Sequence, residues 1–297
     1  MPIDIAIIEK IIAEVGATEI MPRFRKLAAQ DIERKSDNSE VTVADKEAER
    51  ALIVRLTDAL PGSVVIGEEG FAADPAILSH FSGADYIWVI DPIDGTSNFI
   101  KGVAEFGTMV ALVRQRKTVA AWIHDPNTGD TLMAEQGGGV LLGAHKMRLA
   151  GRDPSLPTVS IIGSRLRKLL SAPEIASLLG KMPKFERGSA AAFDYGRLFT
   201  GEAHFARSTA PRAASLLYRQ SKPWDHVPGL FLLAEGGGYA ADLLGQPYEM
   251  GMGKNGLLLA ASREAWEVAY QALKPAITVL LASQVEKTES AARIGYK

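Results

Sequence analysis

An apolar run that ends in two acidic residues constrains this chain more than any other feature. Residues 86–90, Tyr-Ile-Trp-Val-Ile, are aromatic or branched and predict a buried strand that ends there. An Asp-Pro-Ile-Asp segment follows, and its proline biases Asp91 toward extended backbone while the next turn is expected to bring Asp94 back beside it. Asp, Pro and Gly are also common in surface turns, so a plain turn is the alternative on these residues alone.

The chemistry of this segment favours a bound cation and a phosphate. Two adjacent carboxylates repel and raise each other's pKa unless a cation lies between them, and oxygen ligands suit Mg²⁺, Mn²⁺ or Ca²⁺. Gly95 and Thr96 come next, and a glycine allows close backbone approach. Because N–H groups at a turn or helix start can receive phosphate oxygens, the segment predicts a metal and phosphate site.

Two further segments deliver acids in a similar way. Glu68 and Glu69 follow the short apolar run 64–67, and Asp225 precedes the apolar segment 230–234. Each is weak evidence alone, since exposed Glu pairs and Asp helix caps are usually structural. Together they form an ordered set: Gly-Glu-Glu, then Asp-Pro-Ile-Asp-Gly-Thr, then Trp-Asp.

This ordered set resembles the inositol monophosphatase family, the lithium-sensitive magnesium phosphatases that include fructose bisphosphatases and bisphosphate nucleotidases. The segments 41–49, 234–238 and 255–261 extend the similarity over most of the chain. The resemblance implies a layered α-β-α-β-α sandwich of α+β or α/β class.

Metal ligands follow from the resemblance, residue by residue. One Mg²⁺ would be held by Glu68, Asp91 and the carbonyl oxygen of Ile93, and a second by Asp91, Asp94 and Asp225. A third, weaker ion is expected near Glu68, with Mn²⁺ as a substitute and Ca²⁺ and Li⁺ as inhibitors. Glu69 is expected outside the ligand set, because adjacent side chains on an extended segment point in opposite directions.

The resemblance also assigns roles around the metals. Thr96 with Asp45 would orient the attacking water, so the expected catalytic residues are Asp45, Thr96, Glu68 and Asp91. The amides of Gly95 and Thr96 would bind the phosphate. Lys35 matches a loop that folds over the site, although an ordinary solvated lysine is an equal alternative. The expected substrate-binding residues are Asp94, Gly95, Thr96, Gly188, Ser189, Ala190 and Asp225.

Missing residue types narrow the mechanism. The chain has no cysteine, which excludes a thiolate phosphatase, a zinc–thiolate site and a disulfide framework. Neither a Gly-x-Ser-x-Gly elbow nor an Asp-x-Asp motif occurs, so a covalent phosphoenzyme has no obvious candidate nucleophile. We therefore expect direct attack by a metal-activated water in a two-metal scheme.

The substrate is less constrained. Relatives that act on inositol phosphates carry a glutamate after an aromatic pair; here the pair is His204-Phe205, and Ala206 stands in place of the glutamate. The insertion 207–222 carries four basic residues and no acid, so it could meet a second anionic group or be a solvated loop. Inositol 1-phosphate is the default substrate; histidinol phosphate, sugar phosphates and nucleotide bisphosphates are the alternatives.

Composition limits the kinds of partner that the protein is expected to bind. A net charge of −2 favours neither nucleic acid nor an anionic membrane surface. The N-terminus lacks a basic region and the apolar runs are far shorter than a membrane span, so a cytoplasmic protein is expected. The resemblance implies a homodimer. It also raises a second class of function, a regulatory partner of the transcription machinery in which catalysis is dispensable.

Apolar spacing predicts the main elements. Helices are expected over 4–27, 44–60 and 263–286, strands over 86–90, 107–114, 118–124 and 131–136 as an antiparallel meander, and alternating strands and helices over 159–163, 172–179, 191–199 and 227–235. We expect an N-terminal α+β half, 1–150, that carries most metal ligands. A C-terminal α/β half, 151–297, would complete the active site, and its tail from 287 is expected to be partly disordered.

Overall fold

Helices of very different length alternate with short strands along the chain. The computed structural model describes residues 4–149, 160–162, 171–173, 176–177, 185–200, 215–218, 222–251 and 256–277. Its helices are α1 (Ile5–Val15), α2 (Val43–Ala59), α3 (Glu68–Ala73), α4 (His80–Gly83), α5 (Thr96–Ile100), α6 (Ala191–Gly196), α7 (Pro223–Glu235) and α8, described over 263–277.

The strands fall into two groups, one before and one after residue 150. The first group is β1 (Ile32–Arg34), β2 (Glu40–Thr42), β3 (Val64–Gly67), β4 (Tyr86–Asp94), β5 (Gly107–Arg114), β6 (Lys117–Asp125), β7 (Asp130–Glu135), β8 (Leu141–Leu142), β9 (His145–Lys146) and β10 (Arg148–Leu149). The second is β11 (Ser160–Ile162), β12 (Phe185–Arg187), β13 (Phe199–Thr200), β14 (Ser215–Tyr218), β15 (Tyr239–Ala241) and β16 (Leu257–Ala260).

A seven-stranded sheet forms from the first group in the order β3-β4-β5-β6-β7-β8-β9. β3 lies parallel to β4, and every following pair is antiparallel. The predicted meander over β4 to β7 is therefore confirmed. Short turns join β5 to β6 and β6 to β7, whereas helix α5 lies in the connection between β4 and β5.

A five-stranded mixed sheet forms from the second group in the order β12-β11-β14-β16-β15. β11 is parallel to both of its neighbours, whereas β16 is antiparallel to β14 and β15. Two further ladders, β1 with β2 and β10 with β13, contain two strands each over the described residues.

Alternating side chains show how the layers stack. In β4, Trp88 and Ile90 pack into a core with α1 and α2, while Ile87 and Val89 face a second core that includes residues of α6 and α7. Successive strand residues point to opposite faces, so the seven-stranded sheet is covered by helices on both sides.

The same alternation marks the second sheet. Leu257 and Leu259 of β16 belong to the core shared with α6 and α7, whereas Leu258 and Ala260 pack with Trp266 of α8. The layers are thus helices, seven-stranded sheet, helices, five-stranded sheet and helix. This arrangement confirms the predicted α-β-α-β-α sandwich.

The first helix is shorter than the periodic pattern predicts. The helix predicted over 4–27 ends at Val15 and continues as a π-helical turn, Gly16–Ile20. Pro22 cannot donate an N–H to a continuing helix, and a Cβ on Gly16 would lie 3.3 Å from the His124 ring, so the chain passes close to β6 here. The helix predicted over 44–60 is confirmed as α2, shifted by one residue.

Several predictions concern residues outside the described part of the chain. These include the boundary between the halves, half of the segment 172–179, most of the basic insertion, the end of the C-terminal helix and the tail from 287. The division into halves stays a prediction. None of the described helices combines the length and the apolar character that crossing a bilayer requires.

Candidate active site

A bulge in β4 presents the first carboxylates. The strand does not end before Asp91, as predicted, but runs on to Asp94. Asp91 pairs with Met109 and Asp94 with Gly107, so β4 contains one residue more than β5 between these pairs. Such an extra residue bends a strand and redirects its side chains. The Ile93 N–H donates to Asp91 Oδ1 at 3.1 Å, which holds the Asp91 carboxylate inside the bulge.

Glu68 reaches the same place from the neighbouring strand. β3 is parallel to β4 with Gly67 opposite Ile90, so the residue after β3 lies level with Asp91. The prediction that Glu68 and Glu69 lie on an extended segment and diverge is wrong, because Glu68 opens α3. In this helical turn both carboxylates contact Lys35 Nζ, at 3.0 Å from Glu68 and 2.7 Å from Glu69.

Asp225 completes a group of three acids. It lies in the first turn of α7, which begins with Pro223, a residue suited to the first helical position. One carboxylate oxygen each of Glu68, Asp91 and Asp225 lies within 4.8 Å of the other two. Three convergent carboxylates from three elements are the donor set that a hard divalent cation prefers.

Burial raises the pKa of Asp91 and Asp225. Burial raises the pKa of Asp91 well above its ordinary value, and the nearby Glu68 and Asp94 raise it further. Burial and then Glu68 raise the pKa of Asp225 to about 7. A bound cation would reverse this penalty by favouring the charged carboxylates. The residues therefore suit a divalent metal ion in chemistry and in position.

Asp94 lies in the same cavity but is not one of these three acids. Its Oδ2 accepts the Ala192 N–H at 2.6 Å, which ties the end of β4 to the first turn of α6. Burial and the charge of Asp225 raise the pKa of Asp94 well above its ordinary value. Asp94 therefore links the end of β4 to α6 at the site.

Thr96 and Asp45 meet as the sequence predicts. The Thr96 hydroxyl lies 3.1 Å from Asp45 Oδ1 and 3.1 Å from the carbonyl oxygen of Ile93, and either oxygen can accept its hydrogen bond. Asp45 Oδ2 accepts the N–H of Thr42 at 2.8 Å and its hydroxyl at 2.5 Å, in a capping box that begins α2. Burial raises the pKa of Asp45 to about 6, although the Thr42 hydrogen bonds lower it.

These groups surround one polar cavity of about 470 Å³. Gly95 enters its wall in a left-handed conformation, φ 96°, which glycine adopts without strain. Arg34 and Lys222 also line the cavity, and Lys222 Nζ lies 3.6 Å from Glu68 Oε1. Burial lowers the pKa of Lys35, but the Glu68 and Glu69 carboxylates outweigh burial and raise it above its ordinary value.

The predicted substrate segment lies beside the Gly95 turn. A Cβ on Gly95 would come within 2.9 Å of the Ala190 Cβ. The Ser189 hydroxyl donates to the Glu105 carboxylate, and its N–H donates to Asp194 Oδ1 at 3.1 Å. Gly188 precedes them, and His204, Phe205 and Ala206 lie outside the described residues. These substrate contacts stay a prediction.

Sequence reasoning missed two residues of the site. Glu49 lies one turn after Asp45 on α2, and its carboxylate binds the backbone of α3; the i, i+4 spacing of two acids was the available signal. Lys222 was noted only as part of a basic insertion, although it immediately precedes α7. His226, next to Asp225, is buried, and its Nδ1 lies 3.1 Å from the Tyr195 hydroxyl.

Comparison with known proteins agrees with this architecture. A model of the inositol monophosphatase family matches residues 4–285. An inositol-1-monophosphatase of Rhizobium meliloti is 29% identical over 236 residues, covering 77% of this chain and 82% of the relative. A protein of Pseudomonas aeruginosa named Nus factor SuhB is 28% identical over 234 residues, covering 76% and 80%.

Solved structures agree on the fold. The inositol monophosphatase-II of Staphylococcus aureus superposes with a TM-score of 0.72 at 20% identity, covering 95% of this chain and 97% of the other. The family match over nearly the whole chain decides the assignment. The chain belongs to the inositol monophosphatase family of metal-dependent phosphatases, and it is a phosphoric monoester hydrolase that acts on small phosphate esters.

Proposed function

We propose that the protein is a Mg²⁺-dependent phosphomonoesterase for a small polyol or sugar phosphate, with inositol 1-phosphate as its first candidate substrate. One observation carries the proposal. The convergent carboxylates of Glu68, Asp91 and Asp225 share a cavity with the Thr96 hydroxyl, which is hydrogen-bonded to Asp45. A cation site and a water-orienting pair thus face the same space.

The carboxylates supply the metal site of this proposal. Glu68, Asp91 and Asp225 would hold Mg²⁺, with Asp94 and the Ile93 carbonyl as further ligands. Two or three ions would take part, Mn²⁺ could replace Mg²⁺, and Ca²⁺ and Li⁺ would inhibit. When bound, Mg²⁺ supplies Lewis acidity and neutralises charge on the phosphoryl oxygens.

Asp45 and Thr96 supply the proton chemistry. The Thr96 hydroxyl, held by Asp45 at 3.1 Å, can accept a hydrogen bond from a water and orient it toward phosphorus. With its pKa raised to about 6 by burial, Asp45 can receive a proton near neutral pH. The Gly95 and Thr96 amides would bind the phosphate. No covalent phosphoenzyme is required.

Basic residues in the cavity make other small phosphate esters candidate substrates. Arg34 and Lys222 line it together with the acids, so a second anionic group could bind there. This favours a nucleotide or sugar bisphosphate as the alternative substrate. Histidinol phosphate is the third candidate, because Ala206 replaces the glutamate that reads inositol hydroxyls.

The test is phosphate release with Mg²⁺ titrated, from inositol 1-phosphate, histidinol phosphate and a sugar bisphosphate in parallel. The wild type is compared with Asp91→Asn and with Asp58→Asn, a matched control at an exposed aspartate of α2. We expect Mg²⁺-dependent turnover that Asp91→Asn abolishes and Asp58→Asn retains. Absence of turnover by the wild type on all three esters would contradict the proposal.

A regulatory role is the second candidate function. Relatives that are 27–28% identical carry the name Nus factor, which favours an association with the transcription machinery. In that case a folded Asp91→Asn protein would complement a deletion strain as well as the wild type does. If complementation requires Asp91, catalysis is the cellular function. We further propose a cytoplasmic homodimer, which light scattering of the purified protein and cell fractionation would test.

A further inference from the structure

The Glu49 side chain of α2 forms hydrogen bonds with the backbone of α3. Its Oε2 accepts the Glu69 N–H at 2.9 Å, and its Oε1 accepts the Gly70 N–H at 2.7 Å. Glu49 is 4% exposed, so its carboxylate lies beneath the turn rather than in solvent. Both oxygens of one buried carboxylate therefore hold the first turn of the helix that begins with Glu68.

The chain before this turn is shaped around Glu49. A Cβ on Gly67 would lie 2.4 Å from Glu49 Oε2. The φ of Gly67 is −111°, which any residue adopts, so the glycine is needed for space and not for conformation. The absence of a side chain at Gly67 thus lets the Glu49 carboxylate reach the junction between β3 and α3.

The charge of Glu49 is costly at this place. Burial and then the nearby Glu68 carboxylate raise the pKa of Glu49, although its hydrogen bonds to the Glu69 and Gly70 amides lower it. A glutamine, the uncharged side chain of the same shape, offers one acceptor oxygen where the carboxylate offers two. The two charge-assisted hydrogen bonds to adjacent amides therefore offset the cost of burying the carboxylate and fix the position of the turn.

We propose that Glu49 is a positioning residue for the metal ligand Glu68. By holding the Glu69 and Gly70 amides it sets the backbone from which the Glu68 carboxylate reaches Asp91 and Asp225. One face of α2 then organises both parts of the site, since Asp45 holds Thr96 and Glu49 holds the Glu68 turn. The inference rests on the proposed Mg²⁺ site.

Glu49→Gln tests this role, because it keeps the shape but replaces one acceptor oxygen by a donor that faces an N–H. We expect Mg²⁺ affinity to fall about tenfold or more, the range found when a group that orients a metal ligand is removed. The readout is Mg²⁺ binding by calorimetry and the Mg²⁺-induced rise in melting temperature, with the circular dichroism spectrum as a check of folding.

Glu235→Gln is the matched control. The Glu235 carboxylate also accepts backbone N–H groups, those of Gly137 and Gly139 at 3.0 to 3.1 Å, but it lies on another turn and outside the cavity. We expect Glu235→Gln to lower the melting temperature without changing Mg²⁺ affinity. A loss of affinity in both variants would mean that general destabilisation is the cause and would overturn the inference.

Gly67→Ala is a second, independent perturbation. Its added methyl group should displace the Glu49 carboxylate, although Glu49 itself is not mutated. It should weaken Mg²⁺ binding in the wild type and have little further effect in Glu49→Gln. If Glu49→Gln does not fold, the Mg²⁺ affinity of Gly67→Ala tests the positioning role instead. Unchanged Mg²⁺ affinity in the folded variants would overturn the positioning role alone, whereas absence of Mg²⁺ binding by the wild type would overturn the proposed metal site as well.

Discussion

Thr96 illustrates how one side chain joins two parts of the site. Its hydroxyl can donate to Asp45, at the start of α2, or to the Ile93 carbonyl in the bulge of β4. Its position follows from Gly95, whose left-handed backbone turns the chain into α5. A hydroxyl at this place can hold a water, which a methyl group cannot.

Thr96→Val should therefore lower kcat by about a hundredfold, within the range for loss of general acid–base assistance, while Mg²⁺ affinity changes little. Valine keeps the shape of threonine, so the fold is expected to survive. Thr96→Ser, which retains the hydroxyl, should recover most of kcat. Equal loss in both variants in steady-state assays would contradict the role of the hydroxyl.

His124 is a buried histidine away from the metal site, and its pKa reflects that burial. It lies in β6, with its Nδ1 2.9 Å from the Thr131 hydroxyl, and burial lowers its pKa to about 4, although Asp130 raises it. In the unfolded chain its pKa is about 6.5. The unfolded state therefore binds the extra proton first as pH falls, and the protein loses stability from about pH 6.5 down to about pH 4.

His124→Gln removes this titration. We expect the stability advantage of the wild type over the variant to shrink by about 2 kcal/mol between pH 7 and pH 5. Urea unfolding of both proteins at both pH values measures it, and the difference between them cancels the contribution of the other acids. An advantage that is the same at both pH values would contradict the lowered pKa.

Helix α2 is the element on which the site depends. Its start is fixed by Thr42, whose side chain accepts the Ala44 N–H at 3.1 Å and donates to Asp45. Asp45 and Glu49 follow at helical spacing on one face. The orientation of α2 therefore sets the water-orienting pair and the turn of α3 together.

Thr42→Ala should destabilise the fold by about 1 kcal/mol, the usual effect of losing a helix N-cap, and should also lower kcat because Asp45 loses the hydroxyl that holds it. Thr57→Ala, near the other end of α2, is the control, since its hydroxyl bonds only to carbonyls of the preceding turn. Urea unfolding and initial rates measure the two effects. A loss of stability in Thr42→Ala without a change in kcat would contradict the expected link between the helix cap and the active site.

At the scale of the whole molecule, the acidic group joins distant parts of the chain. Asp91 lies in the seven-stranded sheet and Glu68 opens α3 directly after strand β3 of that sheet, while Asp225 comes from α7, in the helix layer between the two sheets. Without a cation, the repulsion among these acids opposes the packing of that layer.

Mg²⁺ should therefore stabilise the whole fold, by about 2.7 kcal/mol at a hundred times its Kd, because the unfolded chain does not assemble the ligands. EDTA should reverse the effect. Asp225→Asn should abolish most of it while raising the stability of the metal-free protein. A melting temperature that does not respond to Mg²⁺ in the wild type would contradict this prediction.

Much of the site could be predicted because the acids stand in short segments that resemble the motifs of a known family. That resemblance, rather than local geometry, predicts the Thr96–Asp45 contact and the meeting of Glu68, Asp91 and Asp225. The bulge of β4 and the helical turn at Glu68 could not be predicted, since both depend on pairing with other strands and on Glu49 beneath the turn.

The sequence by itself determined the strand meander and the identity of the acids, because apolar periodicity and turn residues act over a few positions. The layered arrangement was predicted from the resemblance to the family. Only the tertiary structure decided which face of α2 carries Asp45 and Glu49 to the site and how Lys35 and Lys222 reach Glu68. Such contacts join residues 20 to more than 150 positions apart, and their geometry follows from the packing of whole elements rather than from any local pattern.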